Sequence, residues 1–260
     1  MSLSWLTNIC DNKELAVWNN MNEDAYAKAE AYYAQGYYEE ALSAWEKADG
    51  AAPCSFALCF QKAVAMRKLG RYDEAAAALE KALQLETENA DAWRAYAWVC
   101  CQLDRNADAL ASCEKSLAID INNARTWIVR GFALHRLGRY EKAVESYARA
   151  ILCNPLGPDG RRAWNNRGAA LDNLNRHEEA IESYDEALLI DPFDIYAWNN
   201  KGVALGVLAR HEEAIGCFLK AIQIEPEYAT AWKNLGVAYQ SLHRHDEAEE
   251  AFMRAKDLGL

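Results

Sequence analysis

Ala197-Trp198-Asn199-Asn200-Lys201-Gly202-Val203-Ala204, followed by Leu208-Ala209-Arg210-His211-Glu212-Glu213-Ala214 and then by Pro226, is the stretch that decides the fold. Its final alanine belongs to a series. Ala41, Ala75, Ala109, Ala143, Ala180, Ala214 and Ala248 recur along the chain, five times at an interval of 34 residues and once, between Ala143 and Ala180, at 37. A fixed period in this range marks a stacked helical repeat, in which each unit buries its apolar face against its neighbours.

Counting each repeat from 19 residues before its alanine places the starts at Asn22, Phe56, Ala90, Ala124, Arg161, Ile195 and Ala229. Position 8 is then always small: Ala29, Ala63, Ala97, Gly131, Gly168, Gly202 and Gly236. Position 24 is mostly bulky: Trp45, Leu79, Cys113, Tyr147, Tyr184, Phe218 and Phe252. Position 4 is Trp in the last five repeats. Apolar residues at helical spacing predict a first helix over positions 1–14 and a second over 16–30. Small residues at 8, 20 and 27 let helix axes approach, and large ones at 4 and 24 fill the space left, as close packing requires. Position 15, the turn, is Gly36, Gly70, Gly138 or Asn175 in four repeats, residues that tolerate a left-handed backbone. Asp104, Ala209 and His243 depart from that preference. Pro53, Pro155, Pro192 and Pro226 stop the second helices.

The pattern W-x-N-x-G-x-A, then L-x-R-x-E-E-A, then A-x-x-x-x-P resembles the tetratricopeptide repeat (TPR). The match runs over residues 22–260 and is weakest in the repeat around Asp104, where Ser116 and Ile121 replace the favoured Ala and Pro. The resemblance implies an all-α, right-handed superhelical solenoid of about seven helix-turn-helix units. The register divides the chain into a capping helix or helices over 1–21, units one to four over 22–157, an insertion or hinge at 158–160, and units five to seven over 161–260. The two prolines and two glycines of Asn154–Gly160 are read as a longer loop between units or as a step in superhelical pitch. Trp5, Leu6, Ile9, Leu15, Val17 and Trp18 are expected to cover the first unit, or to form a partner-binding arm.

Composition narrows the function. Hydrophobic residues at 52% and charged residues at 26% fit a folded chain rather than a disordered one. A net charge of −11 argues against nonspecific binding to nucleic acid or anionic membrane. No apolar run approaches transmembrane length, no leader is evident, and cytoplasm is the expected location. The eight cysteines contain no C-x-x-C pair and are read as small buried hydrophobes of a reducing compartment. His177-Glu178-Glu179 and His211-Glu212-Glu213 lack the second histidine of a zinc protease motif, Ile181 and Ile215 standing there. No catalytic residue, metal site or cofactor is expected.

In the family the ligand surface is the concave face, built from first-helix positions 2, 5, 6, 9, 12 and 13. Those positions carry Arg67, Lys68, Arg94, Arg125, Arg136 and Arg162 against Asp91 and Asp172 in units two to five, a net of +4 within an acidic chain. Phe60, Trp98, Phe132 and His135 are interleaved. Position 6 is Asn166, Asn200 and Asn234 in the last three units, and an asparagine there pairs with ligand backbone in peptide-binding relatives. The expected partner is therefore a protein whose extended segment carries acidic and apolar side chains. The clamp for chaperone C-termini is not predicted: Tyr26 and Glu30, Ile128 and Phe132, and Asn165 and Ala169 break its pattern. The alternatives are a scaffold that self-associates through its ends and a regulatory piece of a larger enzyme.

Overall fold

A computed structural model describes residues 25–48 and 55–260. The expected N-terminal cap at 1–21 lies outside the described residues. Fourteen helices account for the described chain, with no strand among those residues. They are α1 (25–34), α2 (Tyr38–Ala48), α3 (Phe56–Lys68), α4 (Tyr72–Leu85), α5 (Ala90–Gln102), α6 (Asn106–Ile119), α7 (Ala124–Arg136), α8 (Tyr140–Cys153), α9 (Pro158–Asn173), α10 (His177–Ile190), α11 (Ile195–Val207), α12 (His211–Ile224), α13 (Ala229–Ser241) and α14 (His245–Asp257). They form seven antiparallel pairs. The chain separates into two compact units, Met1–Ile119 and Asp120–Leu260, holding three and four of the pairs.

Every pair turns in the same way. The residue at position 15 has positive φ in all seven repeats: 82° at Gly36, 74° at Gly70, 68° at Gly138, and 58° at Asp104, Asn175, Ala209 and His243. The next amide then reaches back five residues, as in Arg71 N–H to Met66 O at 2.9 Å and Arg210 N–H to Leu205 O at 2.9 Å. That bond satisfies a carbonyl orphaned at the helix end. The residues that depart from the turn preference thus adopt the same geometry as glycine, at a steric cost. Many first helices are started by a side-chain cap: Ser55, Asn89, Asn123 and Asp194 each accept from an amide two or three residues on.

Positions 8 and 24 are partners. A Cβ on Gly131, Gly168, Gly202 or Gly236 would lie within 2.6 Å of the ring of Tyr147, Tyr184, Phe218 or Phe252 respectively. Where position 24 is Leu79 or Cys113, position 8 is Ala63 or Ala97 instead. The seven alanines that set the period are all buried. In the second unit, Leu171, Tyr184, Leu205, Ile215, Phe218 and Leu235 continue one core from pair to pair.

Tryptophan at position 4 does something the register did not anticipate. It is half-buried, with Trp164, Trp198 and Trp232 packed against the core, and in four repeats its indole N–H donates to a loop carbonyl six residues earlier. Trp93 reaches Thr87 O, Trp127 Ile121 O, Trp198 Pro192 O and Trp232 Pro226 O, at 2.8–2.9 Å. A cation covers several of these rings: Lys115 lies 4.0 Å from the Trp93 centroid and Arg130 5.6 Å from that of Trp127.

Residues 158–160, expected as an insertion or possible hinge, are three extra residues that form the first turn of α9 rather than a loop. The three additional residues lengthen that helix to 16, against 13 for α7 and α11. Pro158 sits where its missing N–H has no helical partner to lose. Gly160 is buried, and a Cβ there would lie 2.3 Å from Asn154 O. The chain needs glycine for this approach.

Candidate functional site

Each unit carries its share of the expected groove on its first helices. In the first unit, the Arg67 guanidinium lies 5.0 Å from the Trp98 ring centroid, and Tyr72 meets Trp98 edge-on at 5.8 Å. Burial, with Arg94 nearby, lowers the Arg67 pKa. Arg94 is held by Asp91 at 2.9 Å. One arginine is thus stacked and the other paired.

The second unit holds the remaining expected residues. Arg125 Nε donates to Asp159 Oδ2 at 3.0 Å, a carboxylate outside the expected groove set. Arg136 and Arg162 are exposed, and Phe132 is half-buried. His135 stacks edge-on with Tyr140 at 5.1 Å, and its Nε2 lies 3.1 Å from Asn173 Nδ2, which also donates to Ala169 O at 2.8 Å. An amide N–H can donate only to an unprotonated ring nitrogen, so this contact favours neutral imidazole. Burial pushes the pKa of His135 the same way, down.

The asparagines form a connected chain. Asn234 Nδ2 donates to Asn199 Oδ1 at 2.9 Å, Asn199 Nδ2 to Asn200 Oδ1 at 3.5 Å, and Asn200 Nδ2 to Asn165 Oδ1 at 3.3 Å. The position-6 amides of α11 and α13 therefore bind position 5 of the preceding first helix. Asn165 and buried Asn199 were not among the residues expected to contact a partner. Their signal was present in the tandem pairs Asn165-Asn166 and Asn199-Asn200, but the pairing spans 35 residues and needs the stacked helices.

Beside this chain, between α11 and α13, lies a pocket of about 290 Å³. Val203, Gly206, Val207, Phe218, Val237 and Asn234 line it. Phe218 is buried, whereas Val203, Val207 and Val237 are 43%, 61% and 50% exposed.

Elsewhere the polar groups are structural. Asp172 accepts from the Tyr184 hydroxyl at 2.7 Å and meets His177 Nδ1 at 2.9 Å, and burial raises the Tyr184 pKa. Cys100, Cys101, Cys113 and Cys217 are buried free thiols, that of Cys217 pushed up to about 11 by burial. Cys59 departs from the expected pattern, being disulfide-bonded. Among the described residues no group of three or more His, Cys, Asp or Glu converges as metal ligands. Nor is any described helix long and apolar enough to cross a membrane.

Comparison with known proteins agrees with this architecture. Sequence models of the tetratricopeptide repeat match residues 60–124, 124–156, 162–194 and 194–258. A model of anaphase-promoting complex, cyclosome, subunit 3 matches 13–82. The chain belongs to the tetratricopeptide repeat family, whose members generally mediate protein–protein interaction. No curated protein sequence matches it. Among solved structures, a tetratricopeptide repeat protein from Parabacteroides merdae is similar with a TM-score of 0.75 and 17% identity, over 93% of this chain and 94% of that one. Pseudomonas aeruginosa PilF gives 0.69 and 22%, over 78% and 91%. YrrB, described as a TPR protein with an unusual peptide-binding site, gives 0.56 and 22%, over 71% and 93%. At these identities the likeness is one of fold.

Proposed function

We propose that this protein is a non-catalytic adaptor whose first-helix face holds an extended segment of a partner protein. The observation that carries this reading is the amide chain Asn234–Asn199–Asn200–Asn165 running beside the exposed valines of α11 and α13. Each side-chain amide offers two donor hydrogens and an acceptor oxygen with two lone pairs. The pairing between helices uses only part of that capacity, and the rest suits the backbone of a segment laid across the helices. An amide reads backbone without reading sequence, so apolar and charged neighbours must supply the preference. Arg67, Arg94 and Trp98 in the first unit, and Arg125, Phe132, His135, Arg136, Arg162 and Asn166 in the second, are the proposed contacts besides Asn200 and Asn234. Arg125 and Arg94 already face carboxylates, so their charge serves orientation and encounter more than affinity. The description of YrrB as peptide-binding supports the same use of the fold. The buried free thiols favour a reducing compartment, such as the cytoplasm, with the Cys59 disulfide the exception.

The test uses peptides selected from a displayed random library on the wild-type protein, with affinity read by fluorescence anisotropy. Asn200→Ala, Phe132→Ala and the double reversal Arg125→Glu/Arg136→Glu are each expected to weaken binding while retaining the helical circular dichroism. Unchanged affinity in all three would sink the adaptor reading.

A further inference from the structure

We infer that the pocket between α11 and α13 is the seat of one apolar side chain of the partner segment, and that it sets the sequence preference of the groove. This rests on the adaptor reading above. Gly206 is the starting point. It lies in the last turn of α11, before the C-cap Leu208, where the fold does not require a glycine backbone. Other glycines on the first helices of this unit answer to a neighbour, as a Cβ on Gly202 would lie 2.5 Å from the Phe218 ring; Gly216 on the second helix α12 has open space, as Gly206 does. A Cβ on Gly206 would meet nothing within 4 Å. The chain's own packing makes no use of the missing side chain, and its absence opens the pocket.

The lining specifies the occupant. Val203, Val207 and Val237 are β-branched and substantially exposed, so neither helix propensity nor the core accounts for them. They stand over buried Phe218 and make an apolar wall and floor. The volume of about 290 Å³ has room for an apolar side chain of the segment. The polar side chains of the lining are Asn234, Ser241 and His211, and a cationic side chain is disfavoured there because the lining carries no carboxylate. Charge around the pocket completes the description. The groove positions of α11 and α13 hold one cation, Lys233, and no carboxylate, in a chain of net charge −11. The matching segment carries an apolar anchor with an acidic residue nearby. Asn234 lines the pocket and also heads the amide chain, so an anchored side chain brings its own backbone to the amides.

The peptides selected on the wild-type protein provide the test. They are expected to share an apolar residue at a fixed position, with Asp or Glu close by. Gly206→Leu fills the seat with the protein's own side chain, and Val237→Glu places a charge in it. Both are expected to keep the wild-type circular dichroism and to weaken binding about tenfold or more, as loss of a buried anchor does. Lys233→Glu is expected to weaken only the acidic peptides. Peptides that bind Gly206→Leu and Val237→Glu as they bind wild type overturn the inference. If those peptides are still lost on Arg125→Glu/Arg136→Glu, the adaptor reading survives without this pocket. A library that yields no binder overturns both. A wild-type dimer that Gly206→Leu dissolves, with no peptide competing, assigns the seat to a second copy and also overturns it.

Discussion

Gly168→Ala adds one methyl group at one of the close contacts between positions 8 and 24 in the second unit. The new Cβ would lie 2.5 Å from Tyr184 Cε1 and 2.8 Å from Cζ. Carbon atoms pack comfortably at about 3.5–4.0 Å, so the ring or the helix must give way by about 1 Å. The ring cannot slide freely, because it is buried and its hydroxyl is held by Asp172 at 2.7 Å. Overpacking of this kind costs about 1–3 kcal/mol, and weakening the hydroxyl's hydrogen bond adds up to about 1 kcal/mol. Alanine's better helix propensity returns about 1 kcal/mol. The expected net loss is about 2 kcal/mol, read as a lower midpoint in urea by both tryptophan fluorescence and circular dichroism. A double-mutant cycle isolates the cause. Gly168→Ala combined with Tyr184→Leu recreates the Ala63 and Leu79 pairing of the second repeat, so the two changes together should cost at least about 1 kcal/mol less than their sum. Gly206→Ala is the control, expected to stabilise by about 0.5–1 kcal/mol because its Cβ meets open space. If Gly168→Ala matches Gly206→Ala in sign, the pairing of positions 8 and 24 does not hold this core together.

Three further outcomes follow from local geometry. Ala209 holds φ at 58°, so Ala209→Gly should raise stability by about 0.5–1 kcal/mol, the relief of left-handed strain exceeding the entropy lost; a lower thermal midpoint would contradict this. Asn199→Ala strands the Asn234 donor and breaks the chain to Asn200, an expected loss of about 1–3 kcal/mol in urea denaturation, and a neutral result would mean that water replaces the amide without cost. His135 has a pKa depressed below its ordinary 6.5, so the fold binds this proton less readily than the unfolded chain. Its contribution is present above pH 6.5 and is lost as pH falls below that value. His135→Asn should therefore flatten the stability–pH profile just below 6.5, ahead of the carboxylates; a parallel shift of the whole profile would rule out titration as the cause.

The repeating skeleton is legible in the sequence because it is over-determined. Ala41 through Ala248 mark every unit, and in the last four repeats a glycine at position 8 goes with a Tyr or Phe at position 24. The turns are readable for a different reason. Asp104, Ala209 and His243 look wrong one at a time, yet the flanking helices and the amide at position 16 impose the left-handed backbone on whatever residue stands there. Residues 158–160 misled because proline and glycine are helix breakers in mid-helix but not at its first turn. The need for glycine at 160 comes from Asn154 O, a contact that only the folded corner reveals. The candidate site is partly legible. Asn200 and Asn234 follow from the register, whereas their acceptors lie one repeat away and require two helices in place. The pocket at Gly206 was not visible at all, since whether a glycine faces a ring or open space depends on where its missing Cβ would point.

The tryptophan bonds to the loop carbonyls have an evolutionary reading. Each closes over six residues, within the segment that introduces its own helix pair. A duplicated 34-residue segment cut upstream of that loop arrives with its clasp already encoded, and needs no matching change in its new neighbour to shape the corner. A chain built from such segments can be lengthened or shortened by recombination in whole cassettes, so the extent of its surface is open to change on a far shorter path than the core of a single-layer globule would allow.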